Sequence, residues 1–255
     1  MSENASGSPS TCFWVVIPAA GLGRRMRSDI PKQYLPLDGH TVLEHSLHRV
    51  SLLPAVAEIV VVLAKDDPYW AKQHLDWVAR PVTTVVGGKE RSDSVLSGLR
   101  ALASRADNND WVLVHDAARP CVRPSDIQRL ISDCRADDVG GLLAMPVRDT
   151  MKLADAQQQV EKTLSRDRLW HALTPQMFRY GKLMQALEQV QQKGIPVTDE
   201  AMAIELAGMR AKLVEGHTDN IKITRPEDLT LAAFYLREQG EQGVYLFDDG
   251  MEDGG

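Results

Sequence analysis

Short runs of β-branched and other apolar residues alternate with amphipathic helical segments along most of this chain. That alternation constrains the fold more than any other feature of the sequence. The strand-like runs lie at residues 15–17, 58–64, 82–86, 111–114 and 139–147. The helical segments lie at residues 41–53, 92–102, 124–134, 181–192 and 198–207, and a last helix begins at Thr224. The pattern predicts an α/β fold, with a Rossmann-like, mostly parallel sheet covered by helices on both faces.

Some of these segments carry more detailed signals. The runs at 58–64 and 82–86 are continuously rich in β-branched residues, which is typical of strands buried on both faces. Thr41 and Glu44 have the spacing of a capping box and predict a helix start. At the last helix, Pro226 falls in the first turn and Glu227 completes a second capping box with Thr224.

The length of 255 residues allows one large α/β domain, which we assign to residues 12–238. Residues 1–11 are small and polar, and we predict that they are disordered. Residues 239–255 are rich in Gly, Glu and Asp, and we predict a loose tail. Residues 148–167 are polar with a turn-like middle, which indicates a β-hairpin projecting from the sheet. The alternative for this segment is a plain surface loop.

Composition limits the classes of function. The formal net charge is -6, which argues against general nucleic-acid binding and means that any anion must be bound by a local group of cations. No apolar run approaches the roughly 20 residues that span a bilayer, and the first residues do not resemble a signal peptide. The 3 cysteines are widely spaced and odd in number, so we expect a reducing cytoplasm and no disulfide framework.

A glycine turn with four nearby cations directly follows the first strand-like run. Gly21 and Gly23 leave room for a phosphate to approach backbone N–H groups. The cations are Arg24, Arg25, Arg27 and Lys32. Ligands of open parallel sheets bind at the carboxyl ends of strands, which is where this turn lies. The turn therefore indicates a phosphate site, and the alternative is a tight turn followed by a solvated basic helix.

Two common phosphate motifs do not fit this turn. A dinucleotide fingerprint needs a third glycine or an alanine where Met26 stands. A Walker A loop needs GxxxxGK followed by Ser or Thr, and neither this turn nor the segment at Gly87 has it.

The complete set of motifs resembles one family. PAAGLGRRM and PKQYLPL, at residues 18–26 and 31–37, resemble the signature of nucleotidyltransferases that join a nucleoside triphosphate to a sugar phosphate. Six further segments narrow the resemblance: GGKERSDSV (87–95), HDAARP (115–120), PVRDT (146–150), LWHALTPQ (169–176), TDEA (198–201) and DNIKITRPED (219–228). Together they resemble the 2-C-methyl-D-erythritol 4-phosphate cytidylyltransferases of the non-mevalonate isoprenoid pathway, over residues 13–236. The resemblance implies the nucleotidyltransferase fold.

The resemblance also implies roles for individual residues. Catalytic roles fall to Arg25 and Lys32, which stabilise charge on the α-phosphate, and to Arg166 and Lys222, which position the substrate phosphate. By the resemblance, CTP would be bound by Pro18, Ala19, Ala20, Gly21, Gly23, Gly88, Lys89, Ser94, Asp116, Ala117 and Arg119. Methylerythritol phosphate would be bound by Thr150, Arg166 and Lys222. The family often has an acidic residue where Lys89 stands, so either Lys89 contacts the base through its backbone or base recognition differs here.

The family further implies a Mg²⁺ cofactor and a homodimer. Asp116 and Asp219 are the candidate metal residues, with loop structure as the alternative for Asp219. Residues 148–167 correspond to a dimerisation arm that reaches into the neighbouring site, so Thr150 and Arg166 would act across the interface. Neither a nucleic acid nor a membrane is expected as a partner.

The implied reaction needs no side-chain nucleophile or general base. The attacking group is a phosphate monoester, whose second pKa of about 6 leaves it ionised at neutral pH. Catalysis then depends on cations and backbone dipoles that stabilise negative charge. Three alternatives remain open from the sequence: a cytidylyltransferase for another polyol phosphate such as ribitol 5-phosphate, a dehydrogenase, and a nucleotide sensor without turnover.

Overall fold

The computed structural model describes residues 12–21, 23, 26, 28–78 and 80–243. The strands, in chain order, are β1 (Phe13–Pro18), β2 (Pro36–Leu37), β3 (His40–Thr41), β4 (Val56–Leu63), β5 (Val82–Val86), β6 (Trp111–Val114), β7 (Gly140–Pro146), β8 (Met151–Ala154), β9 (Val160–Leu164), β10 (Trp170–Arg179) and β11 (Lys212–Glu215). The helices are α1 (Val42–Ser51), α2 (Arg91–Ala101), α3 (Pro124–Cys134), α4 (Tyr180–Gln192), α5 (Glu200–Leu206) and α6 (Pro226–Glu241).

Seven of these strands form one sheet in the order β11–β7–β10–β6–β1–β4–β5. Strand β10 is antiparallel to both of its neighbours, β6 and β7. The other neighbouring pairs are parallel, so the predicted mostly parallel sheet is confirmed. The sequence did not predict β10 and β11 as strands, although the LWHALTPQ segment falls in the first of them.

Helices cover both faces of the sheet, as predicted. On one face the buried side chains of Val15 and Ile59 pack with Leu43 of α1 and Ile127 of α3. On the other face the buried side chains of β1, β4 and β6 pack with helices α2, α4 and α5. Alternate residues of the central strands thus enter two separate cores. Among the described residues, we find no helix with the length and apolarity needed to cross a membrane.

The prediction for residues 82–86 was wrong in one respect. They form strand β5, but β5 lies at the edge of the sheet and its side chains are exposed or half-buried. β-branched residues indicate that a segment favours a strand, but they do not indicate whether one or both of its faces are buried. Strict alternation of strands and helices also fails before β5, because the connection from β4 contains a short 3-10 helix, Trp70–Lys72, and no α-helix in its described residues.

Residues 148–167 contain a two-stranded antiparallel hairpin. Strand β8 pairs with β9, and the pair is separate from the large sheet. Most of its side chains are exposed, including Val160 at 64%. The hairpin geometry agrees with the sequence pattern, and its role as a dimerisation arm stays a prediction.

The predicted capping box at the start of α1 is confirmed, and the one predicted for the last helix needs a correction. Thr41 Oγ1 accepts from the backbone N of Glu44 at 3.2 Å, and the Glu44 carboxylate accepts from the Thr41 N at 2.7 Å. At α6 the N-cap is Arg225 and the carboxylate belongs to Asp228 rather than Glu227: it accepts from the backbone N of Arg225 at 2.8 Å. The helix therefore begins at Pro226, two residues later than expected.

The predicted loose tail from residue 239 was wrong at its start. Helix α6 continues to Glu241, and Gln239 is fully buried. Its side-chain amide accepts from Arg49 Nη2 at 2.6 Å and donates to the Cys121 carbonyl at 3.0 Å and to Asp219 Oδ2 at 2.8 Å. Residues 1–11 and 244–255, the remainder of the predicted tails, lie outside the described residues.

Candidate active site

A cavity of about 190 Å³ opens at the carboxyl ends of β1, β5 and β6, against the start of α2. The predicted site residues that line it are Pro18, Ala19, Ala20, Gly21, Lys32, Gly88, Lys89, Ser94, Asp116, Ala117 and Lys222. Gln33, Glu90, Arg91 and Ala118 complete the lining. The cavity thus lies where an open parallel sheet is expected to bind a ligand.

One wall of the cavity continues strand β1. The Ala19 N–H donates to the Val62 carbonyl at 2.7 Å, and the Ala19 carbonyl accepts from Gln33 Nε2 at 2.6 Å. Gly23 has φ of 61°, a conformation that favours glycine, and a Cβ there would lie 3.0 Å from Cγ of Lys32. The turn is therefore tight enough to bring Lys32 back to the cavity.

The opposite wall is the N-terminus of α2. The Gly88 N–H donates to Ser94 Oγ at 3.2 Å, and Ser94 Oγ donates to the Glu90 carbonyl at 3.1 Å. A Cβ on Gly88 would lie 2.3 Å from Cβ of Asp93, so a side chain does not fit there. The positive end of the helix dipole faces the cavity and favours an anionic ligand.

Asp116 lies at the centre of a group of cations. Its Oδ1 accepts from Arg91 Nε at 2.8 Å, and its Oδ2 lies 2.8 Å from Lys222 Nζ and 3.6 Å from Arg119 Nε. Arg91 also pairs with the buried carboxylate of Glu200, at 2.6 Å and 3.1 Å. Three cations and two carboxylates thus leave one positive charge in excess beside the cavity.

This arrangement shifts the pKa values of the charged residues in it. Burial by itself would raise the pKa of Asp116, but the neighbouring cations outweigh it and hold that pKa well below its usual range. Burial opposes the charge on Arg91, but its two carboxylate partners outweigh that effect and raise its pKa. Burial raises the pKa of the Glu200 carboxyl, and the hydrogen bonds from Arg91 oppose that rise. Asp116 is therefore ionised across the physiological pH range.

A chain of hydrogen bonds supports the backbone at Asp116. The Asp116 N–H donates to Thr174 Oγ1 at 3.1 Å, and Thr174 Oγ1 donates to His115 Nδ1 at 3.0 Å. His115 Nε2 in turn donates to the Arg119 carbonyl at 3.1 Å. Because a carbonyl oxygen accepts, the ring carries its proton on Nε2. Burial lowers the pKa of His115 to about 4, so the ring is neutral near pH 7.

Comparison with known proteins agrees with this geometry. Residues 13–238 match the family model described as 2-C-methyl-D-erythritol 4-phosphate cytidylyltransferase. The chain belongs to this family. It is thus a nucleotidyltransferase, and the resemblance predicted from its sequence is confirmed.

Relatives of that name cover nearly the whole chain. The 2-C-methyl-D-erythritol 4-phosphate cytidylyltransferase of Vibrio vulnificus (strain CMCP6) is 50% identical over 236 residues, which is 91% of this chain and 98% of that protein. The one of Pseudomonas putida (strain GB-1) is 53% identical over 219 residues, 85% of this chain and 92% of that protein.

Solved structures of the same family share the fold. The Francisella tularensis enzyme is 36% identical, covers 88% of this chain and 100% of its own, and superposes with a TM-score of 0.75. The enzyme from Thermus thermophilus is 29% identical, covers 89% of this chain and 98% of its own, and has a TM-score of 0.71.

Some residues that the family resemblance selects do not line the cavity. Arg25 lies outside the described residues. Thr150 and Arg166 are exposed on either side of the hairpin, where Nη1 of Arg166 donates to the Arg148 carbonyl. Asp219 Oδ2 pairs with Arg123 at 2.8 Å away from the cavity lining, and this contact favours the structural alternative for Asp219.

Two charged residues of the site were not predicted. Arg91 lies in the quoted GGKERSDSV segment and Glu200 in the quoted TDEA segment, but neither received a role. Their significance depends on a contact between residues 109 positions apart in the chain, and spacing along a sequence does not reveal such a contact. The available signal was a charged residue directly before one predicted helix, 92–102, and another in the first turn of a second, 198–207.

Proposed function

We propose that this cavity transfers the cytidylyl group of CTP to 2-C-methyl-D-erythritol 4-phosphate. The products are 4-diphosphocytidyl-2-C-methyl-D-erythritol, an isoprenoid precursor of the non-mevalonate pathway, and pyrophosphate. The observation that carries the proposal is the concentration of Lys32, Lys89, Arg91 and Lys222 around a glycine-lined cavity in a chain of net charge -6. Such a cavity suits two polyanions that must be brought together.

The reaction is an in-line displacement at phosphorus. An oxygen of the methylerythritol phosphate forms a bond to the α-phosphorus of CTP, and the bond from that phosphorus to the bridging oxygen breaks and releases pyrophosphate. The nucleophile is already ionised at neutral pH, which agrees with a cavity whose lining carries more cations than carboxylates. Lys32, with Arg25 as its predicted companion, would stabilise the charge that grows on the α-phosphate.

Lys222 would bind the phosphate of the second substrate. Its side chain is 36% exposed at the cavity, and its Nζ lies 2.8 Å from Asp116 Oδ2. An ammonium group has three N–H donors, so Lys222 would donate to an incoming phosphate dianion while Asp116 holds it at the cavity. Arg91, at 2.8 Å from Asp116, gives that carboxylate a second cationic partner.

Mg²⁺ is the proposed cofactor, with Asp116 as the residue that would hold it. A magnesium site of this type takes one or two protein carboxylates and completes its shell with substrate phosphates and water. The donor fits: Asp116 lines the cavity, and its carboxylate has lone pairs beyond those that accept from Arg91 and Lys222. When bound, the ion would neutralise charge on the triphosphate.

We further propose a homodimer in which the hairpin of residues 148–167 completes the partner's site. Thr150 and Arg166 are exposed and do not line their own cavity, whereas the family resemblance assigns both to the second substrate. The cytoplasm is the proposed compartment, since the 3 cysteines are odd in number and widely spaced, and Cys121 and Cys134 are buried free thiols.

The test is pyrophosphate release by the purified protein with CTP and Mg²⁺, with methylerythritol 4-phosphate or ribitol 5-phosphate supplied in parallel. We expect release with methylerythritol 4-phosphate alone. Release with ribitol 5-phosphate alone would keep the CTP half of the site and overturn the second substrate. If folded protein that binds CTP releases no pyrophosphate with either substrate, the result would favour a nucleotide sensor.

A further inference from the structure

Glu200 is fully buried and reaches the site through another side chain. It begins helix α5 and does not line the cavity. Its oxygens accept hydrogen bonds from Nη1 and Nη2 of Arg91, at 2.6 Å and 3.1 Å. The Nε of the same guanidinium donates to Oδ1 of Asp116 at 2.8 Å. One guanidinium therefore joins a buried carboxylate to the carboxylate at the cavity wall.

The fold fixes the position of Glu200 independently of Arg91. The preceding residue, Asp199, caps α5 by accepting from the Met202 N–H at 2.9 Å. Gln176 of β10 donates to Asp199 Oδ2 at 3.0 Å and accepts from the Ala201 N–H at 2.9 Å. The first turn of α5 is thus attached to strand β10, and this fixes the backbone that carries the buried carboxylate of Glu200.

This anchor decides which donors of Arg91 face Asp116. A guanidinium offers a fork of donors, and an unopposed carboxylate takes two of them, one on each oxygen. Here Glu200 engages Nη1 and Nη2, so Asp116 receives the Nε bond on Oδ1. Oδ2 of Asp116 is then left to Lys222, at 2.8 Å. Without the charge at Glu200, the guanidinium is able to turn and cover both oxygens of Asp116.

Charge balance points the same way. When a substrate phosphate neutralises the charge of Lys222, the guanidinium groups of Arg91 and Arg119 balance two carboxylates that are both buried. Removing the charge of Glu200 would leave a buried positive excess that holds Asp116 more tightly.

We propose that Glu200 is a positioning residue that keeps Oδ2 of Asp116 available to Lys222. The inference deepens the proposed function and rests on it, because Lys222 is there assigned to the phosphate of methylerythritol 4-phosphate. Glu200 touches neither substrate; it acts through Arg91. Its loss should therefore affect the second substrate more than CTP, which would also contact the glycine turn and the start of α2.

The test is Glu200→Gln in the full-length protein, with the fold checked by circular dichroism. We expect the KM for methylerythritol 4-phosphate to rise about tenfold, because the anchor of Lys222 is lost, while the KM for CTP rises less, by about threefold at most. The double variant Arg91→Lys/Glu200→Gln should recover most of this loss, since an ammonium group cannot cover both oxygens of Asp116. A merely structural role for Glu200 would not give this recovery.

Glu58→Gln is the matched control. Glu58 is a similarly buried carboxylate that receives two donors of Arg105, at 3.0 Å each, and it does not line the cavity. We expect both KM values of this variant to equal those of the wild type. If Glu200→Gln does not fold, Glu200→Asp keeps the charge, shortens the side chain, and should give a smaller rise confined to methylerythritol 4-phosphate.

Two results, each with an active wild type, would overturn this inference and leave the proposed function intact. The first is that Glu200→Gln has unchanged KM values. The second is that both KM values of Glu200→Gln rise equally and the double variant shows no recovery. A wild type that releases no pyrophosphate would instead overturn the proposed function, and this inference with it.

Discussion

Lys32 connects two parts of the site that are far apart in the sequence. Its Nζ donates to the Ile223 carbonyl at 2.8 Å, and Ile223 directly follows Lys222. The stem of Lys32 lies against Gly23 of the glycine turn. Lys32 is thus placed to bind the triphosphate of CTP, and it also holds the segment that carries Lys222, the proposed cation for the second substrate.

Lys32→Ala should lower kcat by about 10²–10³, the usual cost of removing one donor that stabilises transition-state charge. The measurement is steady-state pyrophosphate release at saturating substrates. Lys212→Ala is the control, because Lys212 is exposed on β11 and should be dispensable for turnover. Near-normal turnover in Lys32→Ala would refute the role proposed for this residue.

His115 should make folding stability depend on pH. Its pKa is about 4 in the folded protein, because of burial, and about 6.5 in an unfolded chain. Between these values the unfolded chain binds a proton that the folded protein does not, so stability falls as pH falls. By pH 5 the loss attributable to this ring should be about 2 kcal/mol relative to pH 7.

His115→Gln removes this titration and keeps hydrogen-bonding atoms. Denaturant unfolding at pH 7 and pH 5 should show a smaller loss of stability in the variant than in the wild type, by about 2 kcal/mol. Between pH 8 and pH 7 the free energy of unfolding should change by the same amount in the two proteins. An equal loss in both proteins at pH 5 would mean that His115 is not the group responsible.

At the scale of elements, the hairpin of residues 148–167 is the part whose role needs a second subunit. Val160 on β9 is 64% exposed and Leu153 on β8 is 38% exposed, so both strands of the hairpin present an apolar side chain that a second subunit would cover. Val160→Asp should weaken the proposed dimer and lower activity together, since the arm carries Thr150 and Arg166. Light scattering after size exclusion, with a parallel assay, measures both.

Leu52→Asp is the control for this change. Leu52 is 49% exposed at the end of α1 that is remote from the carboxyl ends of the strands. A variant at Val160 that stays dimeric and fully active would contradict the arm proposal.

The sequence predicted some elements closely and missed others for physical reasons. Helix α3 was predicted at its observed bounds, because its apolar residues recur at helical spacing and Pro124 opens it. Strand β10 was missed, because its first residues are exposed and its sequence has neither strict alternation nor a continuous apolar run. Most of the cavity lining was predicted from motifs; the Arg91–Glu200 contact was not, since it depends on how α2 and α5 meet.

At the scale of the whole molecule, α6 joins the end of the described chain to its first half. Gln239 contacts Arg49 of α1 and the Cys121 carbonyl, and all three residues are fully buried. A buried amide with three hydrogen-bond partners holds the C-terminal helix against the body of the domain, next to Asp219.

Gln239→Ala should lower the free energy of unfolding by about 3 kcal/mol, because it leaves buried polar groups without their partner. Equilibrium urea unfolding followed by circular dichroism measures the change. Gln242→Ala, three residues later at an exposed position, should stay within about 0.5 kcal/mol of wild type. If the two variants are equally stable, the prediction of a loose tail from residue 239 would be supported after all.

The antiparallel strand β10 also determines when the sheet can be completed during synthesis of the chain. Strands β1, β4, β5 and β6 come from residues 13–114 and form one continuous half of the sheet, so this half is able to pair while the ribosome is still at work. The free edge of β6 stays open until residue 179 has emerged, because β10 is its partner on that side. An open edge is a template for wrong pairing. We therefore expect the nascent chain to be most prone to wrong strand pairing between the synthesis of residue 114 and that of residue 179.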